Sequence, residues 1–548
     1  HERSTDTLAN LAMGAFDFLR RSRPSEVNVE VVNPDVENEG WYAPVTVIRT
    51  NITERPFIVD SIREFLHARE LAIEHIVYPV LHVERDGDGE PVGIRPSREG
   101  EARESLVHCE VGQVTDVHKL AEIKSELERR LRDVVWATED FDAMVDAVNH
   151  TVAELAERAE QLEGREGELE EIQDFLRWLR DGAFVFLGYR GYDIVDAPDA
   201  ESRHIVVERG SGLGVLRDES RSTYADPTPL DELRPELREL VLHGPTLIVN
   251  KTNAESTVHR KARMDYIGVK KLTPGGRVVG EHRFLGLFTS RAYAEHAGKI
   301  PILREKLRWI LDESGLREGS HDFKEIITIF NSLPKEELFL TSAEEIGADI
   351  RTVLTSYHTS GVRVSLREDP VGRGLSVMVI LPKDRFSGEI RKALEARLVE
   401  LFHGEVLNYH LSLGGGDQAR LHFYVSGSQE RFRAVDAAEV EQVVGRLIRT
   451  WTDRVRAELE RVRPPDEARR LAHRYGEAVS AEYQAATDAE MAVEDILELE
   501  AMAADGRGIS IAFADRTTSL AAPGVEDVTE LKVYLRDQGL ILSDFMPI

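Results

Sequence analysis

The chain opens its clearest pattern between Tyr42 and Val83, where β-branched Val45, Val47 and Thr50 give way to a polar stretch, Asn51 to Arg55. Pro56 then begins an apolar periodicity at Phe57, Val59, Ile62, Phe65 and Leu66. The switch in spacing predicts a strand, a tight loop and a helix. Pro56 suits a first helical turn, since its fixed φ is already helical and its missing N–H would find no partner there. The free N–H groups of that turn face the loop, where a small carboxylate could sit. Ile73 to Val83 and Ser105 to Val111 predict two more strands, and Val117 to Val134 a helix with Leu120, Ile123, Leu127, Leu131 and Val135 on one face. Upstream, Leu8, Leu11, Phe16 and Leu19 predict a helix over Thr5 to Arg20 that Pro24 stops, and Val27 to Val32 alternates as a strand before the Asn33-Pro34 turn.

These elements, β-β-α-β-β-α, are a circular reordering of the ferredoxin-like sandwich, an antiparallel sheet with its helices on one face. Asp140 to Arg180 reads as two amphipathic helices broken near Gly164, a spacer. From Asp181 the period changes, and Phe184–Tyr192, Ile205–Val207, Gly214–Leu216, Thr246–Val249, Tyr266–Leu272 and Arg283–Thr289 predict short strands around a helix at Asp231–Leu242. A mostly antiparallel sheet of this length fits a PAS-like fold. Helices follow at Ile302–Leu311 and Phe323–Phe330, with Ser320-His321-Asp322 as a cap. The first pattern then returns: a helix at Glu344–Ser356, strands at Val362–Arg367 and Ser376–Leu381 about a turn at Asp369–Gly374, a helix at Ser387–Phe402, and strands at Gly404–Leu411 and Arg420–Val425. Helices resume from Ala437 to Met502, interrupted at Pro464-Pro465, before strands at Ile509–Ala514 and Leu531–Arg536, a turn at Gln538-Gly539 and a helix cap at Ser543-Asp544.

The expected class is therefore α+β and multidomain: an N-terminal helix (1–22), a first sandwich (23–135), a helical spacer (136–181), the PAS-like domain (182–298), a helical segment (299–358), a second sandwich (359–430), a helical linker (431–502) and the start of a third sandwich (503–548). His1 in place of Met and a third unit cut at Ile548 predict a piece of a longer protein.

Composition narrows the function. The 99 acidic against 69 basic residues give a net charge of -30, which disfavours nucleic acid and anionic membranes as partners. A single cysteine, Cys109, excludes an intrachain disulfide framework and any Cys-rich metal site, and suits a reducing, cytoplasmic setting. No apolar run reaches membrane length.

Candidate chemistry is sparse. Gly210-Ser211-Gly212-Leu213-Gly214 lacks a following helix, and Gly414-Gly415-Gly416 lies between two strands, so neither reads as the strand-to-helix turn that cradles a dinucleotide. His75 and His82 stand an odd number of positions apart on one predicted strand and would face opposite sides. His108, Cys109 and Glu110 diverge in the same way, and Ser320-His321-Asp322 has a triad's composition without its geometry. Lys251, His259, Arg260, Lys261, Arg263, Lys270 and Lys271 form the one basic cluster in an acidic chain, a candidate anion or subunit contact. Asn51, Thr53, Arg55, Asp60 and Ser61 are the candidate effector-binding residues, beside a helix N-terminus.

The Glu54-Arg55-Pro56-Phe57 loop resembles the Asp-Arg-Pro-Gly loop of ACT domains, small amino-acid-binding regulatory modules. Phe57 departs from the pattern, because many ACT domains place there a glycine that lets a ligand approach the backbone. A wider set of motifs, including Arg55 to Ser61, FVFLGY at Phe184–Tyr189, TVHRKARMDYIGV at Thr257–Val269, VGEHRFLGLFTS at Val279–Ser290 and Gly319-Ser320-His321-Asp322, resembles the N-terminal half of the large bacterial NAD-specific glutamate dehydrogenases. That resemblance covers nearly the whole chain. It implies three ACT-like modules and a PAS-type domain, a catalytic domain beyond Ile548, NAD as cofactor of the full-length enzyme with none in this segment, and a homo-oligomer, a tetramer. It implies conversion of L-glutamate, water and NAD to 2-oxoglutarate, ammonium and NADH. The competing expectation is a stand-alone amino-acid sensor or scaffold built of the same modules.

Overall fold

The computed structural model describes residues 3–536 apart from 24, 99, 197–201, 358–360, 370–373, 414–416 and 517–527. The chain divides into two compact units, the first reaching Thr355 and the second beginning at Ser356.

In the first unit, strands β1 (Asn28–Val32), β2 (Val45–Thr53), β3 (Ile73–Val77), β4 (Val80–Arg85), β5 (Pro91–Pro96) and β6 (Glu104–Gly112) form one sheet ordered β1-β2-β6-β4-β5, with β3 also paired to β6. Every pairing is antiparallel. Helices α2 (Ile58–Ala68) and α3 (Val117–Glu139) bury Ile62, Phe65, Leu127 and Leu131 against Ile48, Ile52, Val107 and Cys109 of one sheet face. Helix α1 (Thr5–Arg21) lies on the other face, its Leu11 packed beside Trp41, Val45 and Val47. Both faces of β2 are thus covered, and alternation along it loses its usual meaning.

Three expectations change here. The polar stretch beginning at Asn51 is not a turn: β2 pairs with β6 as far as Thr53↔Glu104, and Asn51 and Ile52 are buried. The long strand at Ile73–Val83 breaks into β3 and β4 at Tyr78-Pro79, where proline has no N–H for the ladder. Strand β5, which begins at Pro91 and ends at Pro96, has no counterpart among the expected elements.

Helices α4 (Phe141–Ala159) and α5 (Glu166–Trp178) are separated around Gly164, which takes φ 84°. They buttress the next sheet: Arg158 Nε donates to Leu272 O at 2.9 Å, and Glu154 reaches His282 at 2.7 Å. That sheet contains β7 (Phe184–Asp196), β8 (Arg203–Val207), β9 (Leu213–Gly214), β10 (Thr228–Pro229), β11 (Leu247–Glu255), β12 (Arg263–Leu272) and β13 (Val278–Phe288). Its order is β10-β8-β7-β13-β12-β11, with β9 on β7, antiparallel throughout. Helix α6 (Pro235–His243) lies between β10 and β11 in sequence. Helices Leu303–Ser314, His321–Ser332 and Ala343–Ser356 end the unit, and Ser320 caps the second through Phe323 N–H at 3.3 Å.

The second unit carries β14 (Arg363–Glu368), β15 (Gly374–Pro382), β16 (Glu405–Ser412) and β17 (Gln418–Ser426) in the antiparallel order β14-β15-β17-β16. Helix Gly388–Phe402 supplies Leu394, Leu398 and Phe402 to its core. Helix Ala437–Leu447, expected in the linker, adds Val440 and Val444 to that core and so belongs to the sandwich. Helices Trp451–Val462, Pro465–Gly476 and Ala489–Asp505 form a separate apolar cluster, and β18 (Ile509–Arg516) pairs antiparallel with β19 (Val528–Leu535). Pro24, most of the turn before Gly374, the Gly414–Gly416 loop, Gln538-Gly539 and Ser543-Asp544 lie outside the described residues.

Candidate functional site

The loop before α2 shows why the ACT resemblance bends at one residue. Phe57 occupies the N-cap position with φ 74° and ψ 0°, the left-handed conformation that a glycine takes without strain, and makes no side-chain cap. Its ring packs on that of His259, 5.0 Å between centroids. His259 belongs to a turn of the central domain and is itself left-handed, at φ 68°. Its N–H donates to Ser61 Oγ at 2.9 Å, and its Nδ1 lies 3.3 Å from Asp60 Oδ2. Lys261 N–H reaches Glu64 Oε2 at 3.4 Å, and Val258 joins the core containing Ile58 and Ile62. Asp60 and Ser61 therefore join two domains through the His259 turn.

The other predicted effector residues lie apart from these two. Asn51 is buried in β2, where its Nδ2 donates to Glu104 Oε2 at 3.1 Å and its Oδ1 has no hydrogen-bond partner among the described residues. Thr53 ends the strand, exposed. Arg55 Nη1 donates to Val135 O and Thr138 Oγ1, both at 3.2 Å, and lies 3.5 Å from Glu139. This holds the loop to the C-terminal end of α3, where unpaired carbonyls favour a cation. Arg55 also borders a cleft of about 450 Å³ shared with Glu26, Arg132, Trp136 and Glu139. Two guanidinium groups, two carboxylates and an indole supply what an amino-acid zwitterion needs. Sequence reading missed Glu26 and the three α3 residues because only the fold brings the turn before β1 and the end of α3 beside the loop.

The basic cluster disperses. Lys251 pairs with Asp265 at 2.6 Å, Lys261 with Glu255 at 3.4 Å, and Lys271 with Asp193 and Glu208 at 2.8 and 2.6 Å. Arg260 donates to Phe288 O at 2.9 Å and Arg263 to Thr252 O at 2.8 Å, while Lys270 turns its amine to the carbonyls of Leu240 and Gly244. Neighbours in sequence here fall on turns and alternate strand faces, so they form no common patch.

The remaining candidates are structural. His75 and His82 sit on separate strands, not one, and His82 Nδ1 lies 3.0 Å from Ala102 O. His108 and Glu110 do not diverge: two positions apart on β6 they share a face, with Nε2 3.3 Å from Oε1, and Arg3 Nη1 donates to Glu110 at 2.7 Å. Burial pushes the Glu110 carboxyl up, but Arg3 and His108 outweigh it and hold it at about 2. Burial pushes the Cys109 thiol up to about 12, leaving no nucleophilic thiolate. Among the described residues, no group of three or more His, Cys, Asp and Glu is arranged to hold a metal, and no helix is long and apolar enough to cross a membrane. Gly214 serves packing: its N–H donates to Asp140 Oδ2 at 2.7 Å, and a Cβ there would stand 2.1 Å from Leu187 O.

Two antiparallel sandwiches with one strand order, each covered by helices, define a multidomain α+β chain of the ACT-bearing class. Family models describe it segment by segment: the glutamate dehydrogenase ACT1 domain matches residues 1–127, helical motif 1 residues 300–358, the ACT2 domain residues 363–452 and helical motif 2 residues 458–502. The NAD-specific glutamate dehydrogenase of Halomonas elongata is 30% identical over 551 residues, covering 100% of this chain and 33% of that protein. Those of Pseudomonas aeruginosa and Mycobacterium tuberculosis are 28% and 26% identical, over 82% and 89% of this chain and 28% and 29% of their own lengths. The chain thus spans about a third of the length of these relatives. It belongs to the bacterial NAD-specific glutamate dehydrogenase family.

Proposed function

We propose that this chain is the regulatory and oligomerisation segment of an NAD-dependent glutamate dehydrogenase that turns L-glutamate, water and NAD into 2-oxoglutarate, ammonium and NADH. The catalytic domain, with the NAD site, lies C-terminal to it. The observation that carries this reading is the recurrence of one strand order, β1-β2-β6-β3 and β14-β15-β17-β16, at the segments matched by the glutamate dehydrogenase ACT1 and ACT2 families. The central sheet, antiparallel with its first and last long strands paired at the middle, supports a PAS-type reading of residues 182–298. The chain acts in the cytoplasm in a homo-tetramer whose subunits and catalytic domain are its partners.

An amino-acid effector fits the cleft beside Arg55 better than the α2 N-terminus, which Phe57 and the His259 turn cover. Its carboxylate would meet Arg55 or Arg132 and its ammonium Glu26 or Glu139. Binding there shifts the catalytic part only if affinity differs between two states of the assembly.

The test is NADH formation from glutamate by this chain and by the same chain extended to its relatives' full length. The short form is expected to be silent and the long form active. NAD reduction by the short form would overturn the reading. Calorimetry with Asp, Arg, Glu and Gln checks the cleft, and an Arg132→Met variant is expected to remove whatever heat is seen.

A further inference from the structure

A second cavity, of about 340 Å³, lies in the central domain between α6 and the sheet face opposite α4. Strand alternation builds its floor. Register pairs Lys270 with Glu281 and Glu281 with Tyr192, while Gly268 pairs with Arg283. The Arg283 guanidinium lies between two aromatic rings, 4.1 Å from the centroid of Tyr192 and 5.2 Å from that of Tyr266. Gly268 makes this possible, because a Cβ there would stand 2.8 Å from the Tyr266 ring. Leu237, Leu240 and Val241 of α6 face Ile194, Ile205 and Ile248 across the space.

The charges in this cavity do not balance. Its one carboxylate, Glu281, already accepts from Tyr266 Oη at 2.6 Å and from Arg283 Nε at 3.0 Å. Lys270, 4% exposed, donates to Leu240 O at 2.8 Å and Gly244 O at 2.5 Å and has no carboxylate within ion-pair distance among the described residues. The Arg234 side chain at the rim makes neither hydrogen bond nor ion pair among the described residues. Lys251, also on the wall, is neutralised by Asp265. In a chain of net charge -30, an apolar cavity with three cations against one engaged carboxylate is a site for an anion.

We infer that this cavity binds a small organic carboxylate with an apolar body and no ammonium group. The carboxylate takes Arg283, Lys270 and Arg234, and the body lies between the tyrosines and the leucines of α6. An ammonium would find only Glu281, whose charge is already paired with Arg283 and whose Oε1 accepts from both Tyr266 and Arg283, and inorganic phosphate would leave the apolar wall unfilled. Because Lys270 also holds the last carbonyls of α6, occupancy bears on how firmly that helix closes the cavity. The inference deepens the regulatory reading, and its test is separable, since it measures ligand binding by this chain and not oxidation of glutamate.

The experiment is calorimetry of the full chain with 4-methyl-2-oxopentanoate and phenylpyruvate, against leucine, 4-methylpentanamide and phosphate. Saturable binding of at least one oxo acid is expected, with leucine, the amide and phosphate weaker by about tenfold or more. Leu240→Trp, which fills the cavity, is expected to abolish binding. Arg283→Lys, which keeps the charge and loses the planar fork, is expected to weaken it by about tenfold and decides the matter where Leu240→Trp does not fold. No saturable heat from either oxo acid up to about 10 mM would overturn the inference. Leucine binding as tightly as its oxo acid, affinity that survives Leu240→Trp, or affinity unchanged by Arg283→Lys would do the same.

Discussion

The two sandwiches share a strand order but begin their first helices in opposite ways. Helix Gly388–Phe402 is capped locally: Ser387 Oγ accepts from Ile390 N–H at 3.2 Å, and the preceding Arg385 pairs with Asp453 at 2.6 Å. Helix α2 starts from a strained phenylalanine with no side-chain cap, and the contacts around it come from the His259 turn of a different domain. Their outer sheet faces differ as well. Under α1, the first sandwich buries Arg49 completely, paired with Glu30 at 2.7 Å and Glu39 at 2.6 Å. Gly14 of α1 lets the helix cross that pair, since a Cβ there would stand 2.5 Å from Glu39. The second sandwich buries His422 on β17, and burial drives that imidazole down to about 3, so it is neutral at physiological pH. Strand order alone thus leaves open whether a loop is free for ligands. What packs on the loop and on the far sheet face decides it.

The strongest way to break this comparison is Arg49→Leu. It strands two part-buried carboxylates and is expected to cost about 3–5 kcal/mol. Segment-resolved hydrogen exchange during urea unfolding should show the loss across β1, β2 and β6 and leave β14 to β17 unchanged; equal loss in both sandwiches would contradict the assignment.

A smaller effect is expected in acid. The folded pKa of Glu110, about 2, lies below the free value of 4.5, so its stabilisation is present in full above 4.5 and is lost as pH falls toward 2. Glu110→Gln should flatten that limb of the stability-against-pH curve in the first unit; a curve identical to that of the parent would show that Arg3 does not matter.

Two finer substitutions sharpen the contrast between helix starts. Ser387→Ala should cost about 1 kcal/mol, read from the unfolding midpoint. At residue 57 the usual ranking should invert: Phe57→Gly should be more stable than Phe57→Ala by about 1 kcal/mol, because both lose the ring but only glycine is relaxed at φ 74°. Alanine at or above glycine would show that Phe57 is not held left-handed in solution.

Much of the fold was legible in the sequence. Helical spacing of Ile123, Leu127 and Leu131 located α3, and the succession of predicted strands and helices anticipated the order of elements along the chain in both sandwiches, β5 apart. Ser320 announced its helix because a cap is a local hydrogen bond. The Arg55 loop was visible too, but its surroundings were not. Asp60 and Ser61 meet His259 across nearly two hundred residues of chain, and Arg132 and Trp136 reach the cleft only because α3 returns along the sheet. The basic cluster failed for the converse reason, since residues adjacent in sequence were sent to different faces and partners.

What the sequence by itself determined is most of the helices and strands and the family, because periodicity, caps and motif residues are properties of short windows. What only the tertiary structure decided is which polar groups remain free. Asp60 and Ser61 are engaged by a distant turn, Asn51 is buried under a second layer, and Lys270 and Arg283 are brought beneath α6. Burial and pairing depend on residues far apart in the chain, and no local pattern specifies them.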